Sequence, residues 1–121
     1  MHEFSVCWGL IASVLSVAKS RQAMVSKVYV SVGPLSGVEP RLLAAAYPLA
    51  SANTAAAGSE LAIEETSLRV RCETCGAETE ATPNKLLCAC CGAERTRVIS
   101  GNELLLLRVE LQPTESPSET G

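Results

Sequence analysis

The chain has 121 residues, six cysteines, 47% apolar residues and a formal net charge of −3 at pH 7. This length fits one compact domain or two small ones. Only 3% of the residues are aromatic, so we expect a modest core that needs a further stabilising element. The acidic balance argues against binding to nucleic acid and against association with an acidic membrane surface.

The chain starts with Met1-His2-Glu3, which includes its one histidine. The α-amine, the amide nitrogen of His2 and the imidazole of His2 could form fused chelate rings around one metal ion. The amide or the carboxylate of Glu3 could fill a fourth position. Such a planar set of nitrogens suits Ni(II) or Cu(II). From these residues alone, a terminal histidine without function stays an open alternative, with Glu3 serving only the helix dipole.

Residues 4–19 show the periodicity of a helix with a narrow polar stripe. We predict a packed helix of a cytoplasmic protein, with Cys7 as a buried thiol. A signal peptide is disfavoured because the start has no Lys or Arg. About 15 apolar residues would also be too few to cross a bilayer.

Four further elements follow from apolar alternation and from glycine and proline positions. They are a strand over 27–32, a helix over 40–57, a strand over 59–65 and a strong strand over 103–111. Leucines on both sides of the last strand predict that both its faces are covered near its start. Residues 112–121 are predicted to be a disordered tail.

Two Cys-x-x-Cys-Gly units contain Cys72 with Cys75 and Cys88 with Cys91. This spacing is typical of a closed, tetrahedral zinc site with four thiolate ligands. Cys90 is left over, because pairing Cys88 with Cys91 repeats the spacing of the first unit. The alternative of disulfides would suit a small secreted domain, for which the chain has no convincing signal.

The order of these elements predicts an α+β fold. We expect a small mixed sheet with two helices and an inserted zinc-ribbon-like domain with four cysteine ligands. The predicted α/β body comprises residues 1–68 with 102–111, and the predicted zinc-binding domain comprises residues 69–101.

Several of these features together resemble the HypA/HybF family of hydrogenase maturation nickel chaperones. In chain order they are Met1-His2-Glu3, a helix, a strand that closes in Val32 to Ser36, a second helix, the two Cys-x-x-Cys pairs and Gly101 to Leu104. The resemblance covers residue 1 to about residue 111. It implies that residues 1–68 with 102–111 form a nickel-binding domain joined to a zinc domain.

The resemblance also assigns roles to residues and partners. It implies that His2 is the nickel ligand with Glu3 beside it, and that zinc is held by Cys72, Cys75, Cys88 and Cys91. It further implies that Ni(II) is delivered to the large subunit of NiFe hydrogenase, in cooperation with the GTPase HypB. A cytoplasmic monomer or homodimer is expected.

Other classes of function remain as alternatives. A zinc ribbon for DNA or RNA is disfavoured because the cysteine-containing segment lacks both a positive surface and aromatic residues. An enzyme is disfavoured because the closed site leaves no position for water and no second histidine is present, so no catalytic residue is predicted. A zinc-stabilised protein-interaction adaptor without a nickel role is the main alternative.

Overall fold

The structure is a computed structural model that describes the backbone of residues 2–113 and the side chains of residues 3–112. In this range the chain forms two α-helices and six β-strands. In chain order they are α1 (His2–Arg21), β1 (Ala23–Val32), α2 (Pro40–Ser51), β2 (Glu60–Glu65), β3 (Arg69–Cys72), β4 (Glu78–Glu80), β5 (Thr96–Ser100) and β6 (Leu104–Pro113). The predicted α+β fold is confirmed. Of the predicted tail, residues 112 and 113 belong to β6, and residues 114–121 lie outside the described residues.

The described residues form two compact units. The first contains residues 2–30, 39–63 and 106–113, and the second contains residues 31–38 and 64–105. One sheet has the strand order β2-β1-β6, and the other has the order β4-β3-β5. The domain borders predicted from the sequence, after residues 68 and 101, stay a prediction.

Helix α1 has one buried side, which recurs at every third or fourth residue as expected for an amphipathic helix. Its side chains with at most 6% exposure are Cys7, Leu10, Ile11, Val14 and Ala18. The helix packs on α2 and ends before Gln22, whose φ of 51° lies in the left-handed region. The predicted helix and the predicted burial of Cys7 are confirmed.

Among the described residues, α1 is also the helix that is long and apolar enough to cross a bilayer, over the 19 residues Glu3–Arg21. The prediction that this segment is too short was wrong, because the helix continues past both ends of the range 4–19. The core helix of a soluble protein and a signal sequence near the N-terminus can have the same length and apolar composition. In this helix 28% of the span is buried inside the protein, and Trp8 is 65% exposed.

Helix α2 is shorter than the sequence suggests. Pro40 is in its first turn, as predicted, but the helix ends at Ser51 instead of continuing to Ala57. Asn53 adopts a left-handed conformation with a φ of 62°, and Thr54 Oγ1 donates a hydrogen bond to the carbonyl oxygen of Ser51 at 2.6 Å. A left-handed residue and a side chain that binds a terminal carbonyl are two common ways in which helices stop.

Strands β1 and β2 run in parallel. Lys27 Nζ lies 3.7 Å from Glu60 Oε2 near the start of β2, and the Thr66 N–H donates to the Val32 carbonyl oxygen at 3.1 Å just past its end. Partners therefore advance in the same direction on both strands. Parallel neighbours require a crossover connection, and α2 lies in that connection.

Strand β6 runs antiparallel to β1 on its other side. The Gly33 N–H donates to the Glu103 carbonyl oxygen at 3.1 Å, and Ser26 Oγ donates to the Glu110 carbonyl oxygen at 3.0 Å. Residue numbers on the two strands therefore change in opposite directions. The predicted mixed sheet is confirmed.

Strand β6 lies at the edge of this sheet. Leu105 is 45% exposed and Leu107 is 51% exposed. The prediction that both faces of this strand are covered near its start was wrong. Leucine on both sides indicated a covered strand, but the position of a strand within its sheet depends on distant residues that the local pattern does not contain.

The second sheet was not predicted from the sequence. β3 pairs antiparallel with both β4 and β5, and the pairing with β5 shifts between Arg69 and Val70. Val70 is fully buried, but its neighbours along β3 are Arg69 and Arg71, and β4 has a glutamate at each end. Strands of three to five residues with so few apolar positions have no alternation that can be recognised.

Two glycine backbones touch within the second unit. The Leu35 N–H donates to the carbonyl oxygen of Gly101 at 2.8 Å. A Cβ atom on Gly33 would overlap that same carbonyl group. Glycine is therefore required at residue 33 by the close approach of a second backbone.

Candidate metal centre

The first cysteine pair lies in a tight turn that begins at the end of β3. Cys72 Sγ accepts hydrogen bonds from the backbone N–H groups of Thr74 at 3.2 Å and Cys75 at 3.3 Å. The Gly76 N–H donates to the Cys72 carbonyl oxygen at 3.0 Å, and its φ of 79° is readily adopted only by glycine. The turn therefore brings the sulfur atoms of Cys72 and Cys75 close together.

The second pair repeats this arrangement. Cys88 Sγ accepts hydrogen bonds from the N–H groups of Cys90 at 3.3 Å and Cys91 at 3.4 Å. The Gly92 N–H donates to the Cys88 carbonyl oxygen at 2.8 Å, and Gly92 has a φ of 77°. The repeated Cys-x-x-Cys-Gly sequence thus folds into two equivalent turns.

The two turns bring four sulfur atoms together, within 4.8 Å of one another: those of Cys72, Cys75, Cys88 and Cys91. Two pairs across the turns are 3.6 and 3.7 Å apart. A tetrahedral ion with metal–sulfur bonds of about 2.3 Å requires sulfur atoms about 3.8 Å apart, so the arrangement fits zinc. The distances far exceed the roughly 2.05 Å of a disulfide bond. Cys90 is exposed and lies outside this cluster.

Backbone donors stabilise a thiolate on the first cysteine of each pair. The N–H groups of Cys75 and Thr74 lower the pKa of Cys72 to about 6. In the second pair, donation from the Cys91 N–H lowers the pKa of Cys88 in the same way. A metal ion binds the thiolate form, so these two sulfurs are prepared for it.

The second cysteine of each pair behaves oppositely. The Ala77 N–H acts to lower the pKa of Cys75, but a thiol hydrogen bond with Cys88 and burial outweigh it and raise the pKa to about 12. For Cys91, a backbone donor again acts to lower the pKa, and the hydrogen bond with Cys72 raises it above the ordinary value. Each short sulfur–sulfur contact therefore joins one cysteine whose pKa is lowered to one whose pKa is raised.

Two arginines beside the cluster are matched by carboxylates. Arg71 and Arg97 lie directly opposite each other on β3 and β5, an arrangement that is unfavourable unless the charges are compensated. Arg71 forms a salt bridge with Glu78, and Arg97 Nη2 lies 3.9 Å from Glu73 Oε2. Both positive charges are therefore paired within the unit that contains the cysteine cluster.

At the other predicted site, Met1 and the side chain of His2 lie outside the described residues. The backbone of His2 begins α1, and Glu3 is in its first turn. Glu3 Oε2 accepts a hydrogen bond at 3.2 Å from the N–H of Glu39, the residue that precedes α2. No local sequence pattern signals this contact, because it joins residues 36 positions apart. The nickel role of His2 and Glu3 stays a prediction.

Comparison with known proteins identifies the family of this chain. A family model described as "Hydrogenase/urease nickel incorporation, metallochaperone, hypA" matches residues 1–111. The chain belongs to the HypA family. The resemblance inferred from the sequence is thereby confirmed.

Relatives with the family name match over almost the whole chain. "Hydrogenase maturation factor HypA" of Nitrosospira multiformis is 50% identical over 115 residues, which are 94% of this chain and 100% of the relative. The protein of the same name from Aquifex aeolicus is 40% identical over 113 residues, covering 93% and 98% of the two chains.

Two solved HypA structures have the same fold. The "Solution structure of HypA protein" has a TM-score of 0.71 and 28% identity, covering 93% of this chain and 97% of that one. The "Solution structure of the Ni metallochaperone HypA from Helicobacter pylori" has a TM-score of 0.67 and 24% identity, covering 92% and 97%. HypA proteins are maturation factors and metallochaperones rather than enzymes, and the family name implies interaction with the hydrogenase maturation machinery.

Proposed function

We propose that this HypA protein binds Ni(II) at Met1-His2-Glu3 and delivers it to the large subunit of NiFe hydrogenase, with a HypB-type GTPase as partner. The observation that carries this proposal is the match of a nickel-incorporation family over residues 1–111, which includes these three residues. The family description also names urease, so a second nickel enzyme is a further candidate recipient. The proposed place of action is the cytoplasm, where thiols stay reduced.

The start of α1 supports a nitrogen chelate. Because α1 begins at His2, the amides of His2 and Glu3 lie in the first turn, whose N–H groups have no acceptor within a helix. These amides are therefore free to lose a proton to a metal ion without breaking the helix. Together with the α-amine of Met1 and the imidazole of His2, they make a planar set of the kind that Ni(II) accepts.

Glu3 contributes its backbone nitrogen rather than its carboxylate in this proposal. Its carboxylate already accepts a hydrogen bond from Glu39, where a negative charge also favours the N-terminal end of α2. Glu3 then has two roles. Its amide nitrogen binds the ion, and its side chain holds the start of α1 against the start of α2.

Zinc is the ion that we assign to Cys72, Cys75, Cys88 and Cys91, since four thiolates at these distances suit its tetrahedral coordination. When bound, zinc supplies a closed structural centre and no open position for catalysis. Residues 69–101 then form a zinc-binding domain, and residues 1–68 with 102–111 form the nickel-binding domain. The chain's own contribution is the pair of backbone turns that orient the sulfurs.

Isothermal titration of zinc-loaded protein with Ni(II) tests this proposal. Protein that begins at Met1 should bind nickel, whereas His2→Ala and a version with residues added before Met1 should lose this binding with unchanged zinc content. Glu3→Gln is the matched control, because it keeps the backbone amide and should keep nickel affinity. Affinity should also weaken between about pH 8 and about pH 6, since protons compete for the amine and the imidazole.

Two results would contradict the proposal. Unchanged nickel affinity in both His2→Ala and the extended protein would place the ion elsewhere. Normal hydrogenase maturation in cells that produce only His2→Ala would favour the adaptor function, in which the terminus has no nickel role.

A further inference from the structure

The edge strand β6 has an open side. Among residues 2–113, its one neighbouring strand is β1, and β6 is ten residues long. Unpaired N–H and C=O groups along such an edge favour pairing with another strand. Leu107 on this strand is 51% exposed, so its apolar surface is also uncovered.

The sequence of β6 is complementary to itself. Leu107-Arg108-Val109-Glu110-Leu111 reads as apolar, positive, apolar, negative, apolar. If a second copy pairs antiparallel with its centre at Val109, Arg108 of each copy lies opposite Glu110 of the other. The same register places Leu107 opposite Leu111 twice. A parallel pairing in register would instead place Arg108 against Arg108, which is unfavourable.

The two charges are already held on one face of the strand. Arg108 Nη2 lies 3.0 Å from Glu110 Oε2, and their side chains are 65% and 35% exposed. Tyr29 on β1 donates a hydrogen bond to Glu110 Oε2 at 2.9 Å, and the Arg108 guanidinium lies 5.2 Å from the centre of the Tyr29 ring. Ordering both side chains in advance reduces the entropy lost when they pair with a second copy.

We propose that two copies of this chain pair through β6, antiparallel and centred on Val109. The contact is isologous, so it closes after two copies and removes the open edge. It joins the β2-β1-β6 sheet of one copy to the β2-β1-β6 sheet of the other, which makes one sheet of six strands. Arg108 and Glu110 of both copies then form a network of four alternating charges, which stabilises more than an isolated surface pair.

Sedimentation equilibrium of the zinc-loaded full chain tests this pairing. The wild type should dimerise, and Arg108→Glu or Glu110→Arg alone should each weaken the dimer by about tenfold or more, because two like-charge pairs replace two opposite ones. An equimolar mixture of these two variants should form the heterodimer, since every pair is again complementary. The double exchange Arg108→Glu with Glu110→Arg should likewise restore the homodimer. Arg41→Glu, an exposed charge reversal on α2, is the matched control and should dimerise like the wild type.

A cross-linking variant keeps the test decisive if a charge reversal impairs folding. Val109→Cys in a Cys90→Ser background should be joined by a short bismaleimide into a dimer, with the link between the two residues 109 identified by mass spectrometry. Three results would overturn the proposal. They are a wild type that stays monomeric at high concentration, a dimer unaffected by both single reversals, and a monomer whose β6 amides are already protected from hydrogen exchange by another segment.

Discussion

The close contact between the Gly33 and Gly101 backbones predicts that a side chain at residue 33 destabilises the second unit. Both residues are buried, and a Cβ atom on residue 33 would overlap the carbonyl group of Gly101. Gly33→Ala must therefore separate two backbone segments. The separation would weaken the bonds Gly33 N–H to Glu103 O at 3.1 Å and Leu35 N–H to Gly101 O at 2.8 Å.

The expected cost follows from those two bonds. Each backbone hydrogen bond contributes about 0.5–1.5 kcal/mol net, and a buried group left without a partner costs about 1–3 kcal/mol. We expect Gly33→Ala to lower the free energy of unfolding by about 2–4 kcal/mol. Urea denaturation of the zinc-loaded protein, followed by circular dichroism, measures this change.

Gly9→Ala is the matched control. Residue 9 is exposed on α1, and a Cβ atom there would meet no other atom within 4 Å. The same substitution should therefore stabilise the helix by about 0.5–1 kcal/mol. Equal effects of both variants, or a Gly33→Ala protein within about 0.5 kcal/mol of the wild type, would refute the reasoning.

Three further predictions concern the thiols and the cargo. Zinc uptake near pH 8 should release fewer than four protons, because the pKa of Cys72 is lowered to about 6 while that of Cys75 is raised to about 12. As the pH falls through 6, Cys72 gains a proton, so more protons should be released and zinc affinity should fall. Calorimetry in buffers of different ionisation enthalpy counts the released protons. A release of four protons at every pH would contradict the prediction. In zinc-loaded protein, iodoacetamide should modify the exposed Cys90 but not Cys7, which is fully buried and whose pKa burial raises. Peptide mass spectrometry reads the result, and labelling of Cys7 in folded protein would contradict it. Ni(II) should quench the fluorescence of Trp8, which lies about 9 Å along α1 from residue 2. Quenching that persists in protein extended before Met1 would show that the ion binds elsewhere.

The features that could be predicted from sequence are those encoded by neighbouring residues. Helix α1 has buried side chains at helical spacing, such as Cys7, Leu10 and Val14. Each cysteine turn depends on five consecutive residues, so its motif contains both the ligands and the glycine that the turn needs. The family resemblance then follows from the order of such local features along the chain.

The features that escaped prediction depend on distant residues. The exposure of Leu107 reflects the place of β6 at a sheet edge, which its own leucine-rich sequence does not reveal. The end of α2 at Ser51 depends on the backbone of Asn53, which an alanine-rich pattern conceals. The contact from Glu3 to Glu39 likewise requires the packed arrangement of two helices.

The uneven burial of the four clustered sulfur atoms should set the order in which they release a bound metal ion. Cys72 and Cys88 are each 2% exposed, whereas Cys75 and Cys91 are open to solvent. A chelator or an electrophile can therefore approach only the sulfur atoms of Cys75 and Cys91 at first. Loss of the ion should pass through a half-detached state in which the inner sulfurs still hold it, one from each turn.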